Sequence, residues 1–277
     1  MLQGKEILLA TMHDKQLAIA PVMRSHLACE IIVPKDYDTD QFGTFSGEKE
    51  RFLAPKNMVL HKAKIAMQQY SYDFGIATEG SFGPHPLIPF TPMHEELIGF
   101  IDFKNQIEIV VAKQTHQTNY IMCEFTKNQP HEDFLSTCLF PSHALIVREM
   151  ANDQVIAKGI TSLAALEEAI NKGFSISDTI RLETDMRAMF NPTRMNVIKE
   201  LTMALVNRLQ AVCAKCHTYG FGEVHYLGRL PCSDCHSETA LFLNMVEKCI
   251  RCDYQIIKPR HDKLSSASPT YCNFCNP

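Results

Sequence analysis

Eight of the eleven cysteines in this 277-residue chain fall into four C-x-x-C pairs after residue 212. Two such pairs supply four thiolates, which close a tetrahedral zinc site and leave no open position for chemistry. The pattern therefore predicts two structural Zn²⁺ ions in a small double zinc-ribbon domain over residues 211–277. The predicted ligands are Cys213, Cys216, Cys232, Cys235, Cys249, Cys252, Cys272 and Cys275.

The spacing alone leaves open which pairs share a metal. Loops of 15, 13 and 19 residues separate successive pairs, so sequential, nested and crossed pairings are all feasible. Thiolates also ligate iron–sulfur clusters, but four regular pairs favour zinc. Disulfides are disfavoured because the start of the chain does not resemble a signal peptide. His217 and His236 directly follow complete pairs and are expected not to be ligands.

The bulk composition is that of an ordinary soluble globular protein. Of its residues, 45% are hydrophobic, as is usual for a globular protein. The net charge of -4 gives no global electrostatic reason to expect binding to nucleic acid or to an anionic membrane. No run of about 18 apolar residues is present, so we expect no membrane span and a cytoplasmic location. Local basic residues in the zinc domain (248–263) leave two alternatives, a nucleic-acid or protein partner and a plain solvated face.

Residues 1–210 are expected to form a mixed α/β domain, a sheet flanked by helices. Strands alternate with helices early in the chain and pair as hairpins later, which is not typical of a doubly wound parallel sheet. Ser162 is predicted to cap a helix that ends at Gly173, and Asn191-Pro192 to begin a long helix. The predicted early elements are strands at 6–10, 30–34 and 74–77, helices at 15–28 and 56–70, and a hairpin over 96–112.

Three polar segments interrupt this domain, two of them directly after predicted strands. They are residues 11–15 (TMHDK), the acidic loop over 35–51, and residues 79–86 (EGSFGPHP), which we interpret as a loop. Loops at strand ends collect ligands in α/β sheets. The glycines and prolines of the third segment suit a turn, but a turn alone does not explain the carboxylate of Glu79.

The residue types in these segments suit phosphate chemistry. Carboxylates provide the oxygen ligands that Mg²⁺ prefers, and cations neutralise phosphate oxygens. Free amides near Thr11 could hold a phosphate at a helix start. The catalytic and metal-binding candidates are Glu79, Asp38, Asp40 and Glu48. The phosphate-binding candidates are Thr11, Lys15, Arg51 and Lys64, with Lys62 as an alternative. Each residue also has a plainer interpretation as a solvated side chain, and His85 is expected to be secondary.

Arg187 and Arg194 lie around the predicted start of the long helix, in LETDMRAMFNPTRM (182–195). The helix dipole disfavours a cation in the first turn, where Arg194 falls. Either a bound anion or a local carboxylate, Glu183 or Asp185, would offset this. Both arginines are therefore substrate-binding candidates.

Two resemblances accompany these motifs. EGSFGPHP, TDMRA…NPTRM and the ending CNFCNP resemble a bacterial family of uncharacterised proteins over nearly the whole chain. LLATMHDKQLAIAPVM, NMVLHKAKIAMQQYSYDFGIATEGSFG and ELIGFIDFKNQIEIVVA are distantly similar to inosine/xanthosine triphosphate pyrophosphatases. That resemblance implies that Thr11 and Lys15 contact a nucleotide, Glu79 binds metal and Arg194 helps to hold the base. His13 stands where those enzymes have Asn. Their Asp-Ser-Gly metal motif is absent from this chain, and the zinc domain of this chain has no counterpart in them.

Two hypotheses follow. The first is a Mg²⁺-dependent hydrolase of a nucleotide or related phosphate compound. The second is a non-enzymatic zinc-ribbon adaptor that binds nucleic acid or a protein partner. The polar segments at strand ends favour the enzyme, because an adaptor does not need them.

Overall fold

The structure, a computed structural model, describes residues 2–39, 42, 53–85 and 90–277. The chain divides into two compact units, residues 1–205 and 206–277. The first unit contains two sheets flanked by helices, which confirms the mixed α/β class. A boundary between independent domains near residue 210 remains a prediction. Among the described residues, no helix has the length and apolar character to cross a membrane.

The first sheet has five strands in the order β2-β1-β3-β4-β5. β1 is parallel to both of its neighbours, whereas β3, β4 and β5 form an antiparallel meander. Helices α1 and α2 connect the parallel strands. The elements are β1 (Glu6–Ala10), α1 (Gln16–Leu27), β2 (Glu30–Ile32), α2 (Pro55–Tyr70), β3 (Phe74–Pro84), β4 (Pro92–Asp102) and β5 (Ile107–Thr115).

The order of these strands creates a switch point between β1 and β3. From β1 the chain moves to β2 on one side, and from β2 it crosses to β3 on the other side. Ala10, the last residue of β1, pairs with Ala77 of β3. Ligands of open α/β sheets bind beyond the carboxyl ends of strands at such a point. Residues 11–15 and residues 78–79 therefore begin at the same edge of the sheet.

The prediction of a loop over EGSFGP (79–84) is wrong, because these residues continue β3. They pair with β4 as far as Pro84 opposite Pro92. A Cβ on Gly80 would lie 2.5 Å from both Arg194 Nη2 and Glu96 Oε2, so this glycine allows two side chains to approach the strand. His85 lies just beyond the strand, and Pro86 lies outside the described residues.

Helix α2 packs its apolar side on the first sheet. Val59, Ala63, Ala66 and Met67 are at most 1% exposed and share a core with apolar residues of β1, β3 and β4. Burial of side chains the size of Val or Met contributes about 1.5–3 kcal/mol each. Lys62 is buried as well, which excludes its plainer interpretation as a solvated side chain.

The second sheet of this unit is antiparallel, with strand order β6-β9-β7-β8. Helix α4 packs on it, and Ser162 Oγ accepts a hydrogen bond from the Ala165 N–H, which confirms the predicted cap. Asn191 Oδ1 likewise accepts from the Arg194 N–H at 2.9 Å and confirms the start of α5. The elements are β6 (Met122–Thr126), α3 (Glu132–Thr137), β7 (Leu145–Glu149), β8 (Gln154–Ile160), α4 (Leu163–Phe174), β9 (Thr179–Thr184) and α5 (Pro192–Gln210).

The second unit is built on three antiparallel strands, β10 (Glu223–Pro231), β11 (Glu238–Lys248) and β12 (Gln255–Pro259), in that order. Leu230 and Val246 are the buried apolar residues of these strands. Larger apolar side chains elsewhere on the same strands are half exposed or more, including Tyr226 and Ile257. The strands therefore bury little apolar surface for a unit of this size.

Candidate functional site

The eight paired cysteines form two groups of four in the second unit. The metal-ligating atoms of each group all lie within 4.8 Å of one another. Two opposed sulfur pairs show the spacing, with Cys216 Sγ 3.6 Å from Cys249 Sγ and Cys235 Sγ 3.5 Å from Cys272 Sγ. A tetrahedron with Zn–S bonds of about 2.3 Å has edges of about 3.8 Å. Both groups therefore fit a four-thiolate zinc ion.

The grouping settles which pairs belong together. The first pair joins the third and the second joins the fourth, which is the crossed arrangement. The groups are Cys213, Cys216, Cys249 and Cys252, and Cys232, Cys235, Cys272 and Cys275.

Equivalent turns hold the first two pairs. The N–H of Cys213 donates to the Thr218 carbonyl at 2.9 Å, and the N–H of Cys232 donates to the Ser237 carbonyl at 2.8 Å. The residue after each pair, His217 or His236, has a positive φ of 57° or 60°. These histidines turn the chain around the metal position. Neither belongs to a ligand group, as expected.

The first unit contains a second concentration of functional side chains, which we call the polar cluster. Its members come from the segment after β1 and from α2, β3, β4 and α5, and each is at most 7% exposed. They lie around the β1–β3 switch point and the adjoining strand β4. The polar cluster comprises Thr11, His13, Lys15, Lys62, Thr78, Glu79, His94, Glu96 and Arg194.

Two lysines reach β3 within the polar cluster. Lys15 Nζ donates to Thr78 Oγ1 at 2.6 Å, across the switch point. Lys62 Nζ forms a salt bridge with Glu79 Oε2, also at 2.6 Å. This pairing explains how Lys62 tolerates burial on the inner side of α2. Lys15 of the first polar segment therefore reaches the residue directly before Glu79.

Arg194 forms the other buried ion pair of the polar cluster. Its Nε and Nη2 lie 2.9 and 3.0 Å from Glu96 Oε2 and Oε1, so the contact is bidentate. Glu96 Oε2 also lies 2.9 Å from His94 Nε2. The expectation that Glu183 or Asp185 would neutralise Arg194 is wrong, because Glu96 does so.

The segment before α5 holds Arg194 in place. Arg194 Nη1 donates to the Met186 carbonyl at 2.7 Å, and the guanidinium lies over the Phe82 ring, 5.4 Å from its centroid. Asp185 is fully buried and binds Arg187 instead, with 2.6 Å between Oδ2 and Nη2. This segment thus holds Arg194 through the Met186 carbonyl and Arg187 through the Asp185 carboxylate.

The polar cluster carries more cations than carboxylates, which shifts its pKa values. Burial, and then Arg194, lowers the pKa of Lys15 to about 7. Burial and the neighbouring cations, Lys15 first, lower the pKa of His13 to about 3. Burial alone would raise the pKa of Glu96, but Arg194, the His94 hydrogen bond and Lys15 hold it well below its usual range. His13 is consequently neutral and Glu96 ionised at neutral pH.

The structure brings together some of the predicted site residues and not others. Thr11, Lys15, Glu79 and Arg194 share the polar cluster, and Arg187 is close enough to lower the pKa of His13. Lys64 forms a salt bridge with Glu108 at 2.7 Å and Asp38 is exposed, so neither is one of these buried residues. Asp40, Glu48 and Arg51 lie outside the described residues.

Sequence reasoning missed His94 and Glu96. They stand two residues apart in PMHEELIGF, so on a strand both side chains lie on one face. The prediction began this strand at residue 96, whereas β4 begins at Pro92. An earlier start would have placed a histidine and a carboxylate side by side.

Comparison with known proteins identifies the family. Residues 62–277 match the family model described as a domain of unknown function, DUF6671. The chain belongs to this family. The match includes all eight paired cysteines and the polar-cluster residues from Lys62 onward, whereas Thr11, His13 and Lys15 precede it. No curated protein matches the chain. The similarity to inosine/xanthosine triphosphate pyrophosphatases remains a prediction.

Proposed function

We propose that the chain is a hydrolase of a nucleotide or related phosphate compound, with the polar cluster as its substrate site. The observation that carries the proposal is that Lys15 and Arg194 on one face of the sheet, and Lys62 on the other, lie near enough to one another around the β1–β3 switch point for Arg194 and Lys62 both to lower the pKa of Lys15. Ligands bind at this position in open α/β sheets, and three cations there suit a phosphate group.

The charge balance of the polar cluster supports an anionic ligand. Lys15, Lys62 and Arg194 face two carboxylates, Glu79 and Glu96. Within the described residues, the Lys15 ammonium donates to a neutral hydroxyl rather than to a carboxylate. A buried ammonium without a hydrogen-bonded counter-charge is unfavourable. A phosphate oxygen would supply the missing negative charge.

The Lys62–Glu79 pair suits a magnesium-bound phosphate in particular. A Mg²⁺ ion would take the carboxylate of Glu79 and release Lys62 to a phosphate oxygen, so both charges stay compensated. When bound, the ion would polarise the phosphate and screen the leaving group. Asp38, Asp40 and Glu48 are the further carboxylates proposed for this metal.

Turnover of a panel of nucleoside triphosphates and simpler phosphate esters, with and without Mg²⁺, tests the proposal. We expect Mg²⁺-dependent release of phosphate or pyrophosphate, and a loss of at least about 100-fold in Glu79→Gln. Glu108→Gln is the matched control, because Glu108 also pairs with a lysine of α2 but at the surface. A folded, zinc-loaded protein that hydrolyses none of these compounds would rule the proposal out.

The second candidate function is a zinc-ribbon adaptor, and one observation favours a protein over a nucleic acid as its partner. The ribbon strands expose Val224, Tyr226 and Ile257 by half or more, while Lys258 and Arg260 pair with Glu247 and Asp262. Exposed apolar groups suit protein contacts, and paired cations contribute little to phosphate binding. Salt-sensitive binding of single-stranded or duplex nucleic acid by the full chain would contradict this preference.

A further inference from the structure

His94 is a histidine whose orientation the structure fixes. It lies on β4 with no exposed surface, and its ring stacks on Phe82 with 4.3 Å between centroids. Nε2 lies 2.9 Å from Glu96 Oε2. Stacking and the hydrogen bond together leave the ring one orientation.

The hydrogen-bond partner of Nε2, Glu96, determines the tautomer of His94. Glu96 is ionised and accepts from Arg194 with both oxygens, so it offers His94 an acceptor and not a donor. The proton of a neutral His94 therefore sits on Nε2, and Nδ1 carries a lone pair. Glu96 orients His94 in the way that a carboxylate orients the histidine of a hydrolytic triad.

Nδ1 has no hydrogen-bond partner among the residues that the structure describes, although it is buried. A buried acceptor without a partner is costly, so such an atom calls for a ligand or a bound water. It belongs to the same polar cluster as the three cations, because Glu96 holds both His94 and Arg194.

We infer that His94 Nδ1 is the proton acceptor for the water that attacks a phosphate held in the polar cluster. In this step the water gives a proton to Nδ1 while its oxygen forms a bond to phosphorus. The bond from phosphorus to the leaving oxygen breaks, and its electron pair departs with the leaving group. The inference rests on the proposed function and adds to it the base that the reaction needs.

The other basic groups of the polar cluster are less suited to this role. Glu79 already pairs with Lys62, and a metal would occupy the same carboxylate. His13 is a weak base, since burial and four cations hold its pKa at about 3. Lys15 is needed as a cation for phosphate. His94 has an oriented lone pair on a ring that no cation of the described residues contacts by hydrogen bond.

Nitrogen NMR on the full zinc-loaded chain with labelled histidine tests the inference, with inorganic phosphate as the probe. Phosphate is the product of the step, and its hydroxyl contains the oxygen of the attacking water. We expect a proton on Nε2 and none on Nδ1, and a shift of the Nδ1 resonance toward the hydrogen-bonded value as phosphate is added. A proton on Nδ1, or an Nδ1 resonance that saturating phosphate leaves unmoved, would overturn the inference.

A pair of variants separates a base from a merely structural histidine. In His94→Gln the amide nitrogen replaces Nε2 and can keep the bond to Glu96, but no acceptor replaces Nδ1. We expect this variant to keep its zinc and its fold, and to lose at least about 100-fold in kcat with little change in KM. His94→Asn has no base either, and its shorter side chain also loses the bond to Glu96, so it should lose at least as much. Full turnover in His94→Gln would mean that His94 only positions Glu96.

The NMR titration with phosphate and the turnover assay test separate claims. An Nδ1 resonance that responds to phosphate in a protein without turnover would contradict the proposed hydrolase but not the contact. Turnover with an unresponsive Nδ1 would leave the hydrolase standing and remove His94 as its base.

Discussion

The cysteine groups and the polar cluster hold their side chains in opposite ways. Each cysteine group uses one kind of donor, delivered as two local pairs, in a unit whose strands bury few apolar residues. The polar cluster uses five residue types, drawn from the segment after β1 and from α2, β3, β4 and α5 of a well-packed unit. In the first case a metal would organise the chain, and in the second the fold organises the charges.

This difference determines which change should destabilise each region. A structural zinc ion supplies folding free energy, so its loss affects a whole unit. A buried ion pair supplies little net stability when complete, but removal of one partner leaves an uncompensated charge.

The largest effect is expected from the metal. The 277-residue chain should contain two Zn²⁺ ions, and a strong chelator should unfold residues 206–277 while residues 1–205 keep their structure. Structural zinc contributes roughly 10–16 kcal/mol per ion in small domains. Metal analysis would measure the zinc content, and amide hydrogen exchange would measure the unfolding of residues 206–277. Cys232→Ser should lose one ion, whereas Cys123→Ser, at an exposed cysteine outside both groups, should lose none. An undisturbed second unit after chelation would contradict the comparison.

The next effect is expected at Arg194. Arg194→Met leaves Glu96 buried and charged without its bidentate partner, which should cost about 3–5 kcal/mol in the free energy of unfolding. Arg24→Met removes an exposed pair with Glu30 and should cost under about 1 kcal/mol. Denaturant unfolding gives both values. Adding Glu96→Gln to Arg194→Met should recover part of the loss, and a further loss would argue against the charge explanation.

The contrast between the regions also decides what could be predicted from the sequence. The cysteine ligands could be named because their spacing is local, and only the pairing had to wait for the fold. The mixed sheet followed from helix and strand periodicity and from hairpin signals. The cap residues Ser162 and Asn191 were correct, because capping depends on a few consecutive residues.

The polar cluster was only partly predictable, because strand register decides which charges meet. Gly80 and Gly83 were interpreted as turn residues, but the segment pairs with β4 through Pro84, and Gly80 makes room for Glu96 and Arg194. Lys62 and Lys64 differ by two positions on α2, which put one against Glu79 and the other against Glu108. The sequence favoured Lys64, since an isolated helix does not reveal which lysine has a buried carboxylate opposite.

A smaller, pH-dependent effect is expected at Lys15. Its pKa falls from an unfolded value near 10.5 to about 7, so between these pH values the unfolded chain binds more protons than the folded one. Stability should therefore rise with pH across this window, by at most about 1.4 kcal/mol per pH unit from this group. Below pH 7 both states are protonated and the full penalty of a buried charge applies.

Lys15→Met should flatten the rise between pH 7 and pH 10 and raise stability at pH 6. Thermal unfolding across this range, in low-phosphate buffer, would show it. Lys64→Met is the matched control, because its surface pair with Glu108 should leave the pH profile unchanged. Equal slopes in Lys15→Met and the parent protein would mean that Lys15 is not the unbalanced charge of the polar cluster.

The smallest effect is expected at the histidines behind the cysteine pairs. His217 and His236 adopt left-handed backbone conformations, which disfavour residues with a Cβ by about 1–2 kcal/mol and suit glycine. His236→Gly should therefore keep both zinc ions and change stability by no more than about 1 kcal/mol, in either direction, because glycine also has greater freedom when unfolded. Metal content and thermal unfolding measure the two quantities. Loss of one zinc ion would show that His236 is a ligand, and the contrast between an all-cysteine region and a mixed polar cluster would no longer hold.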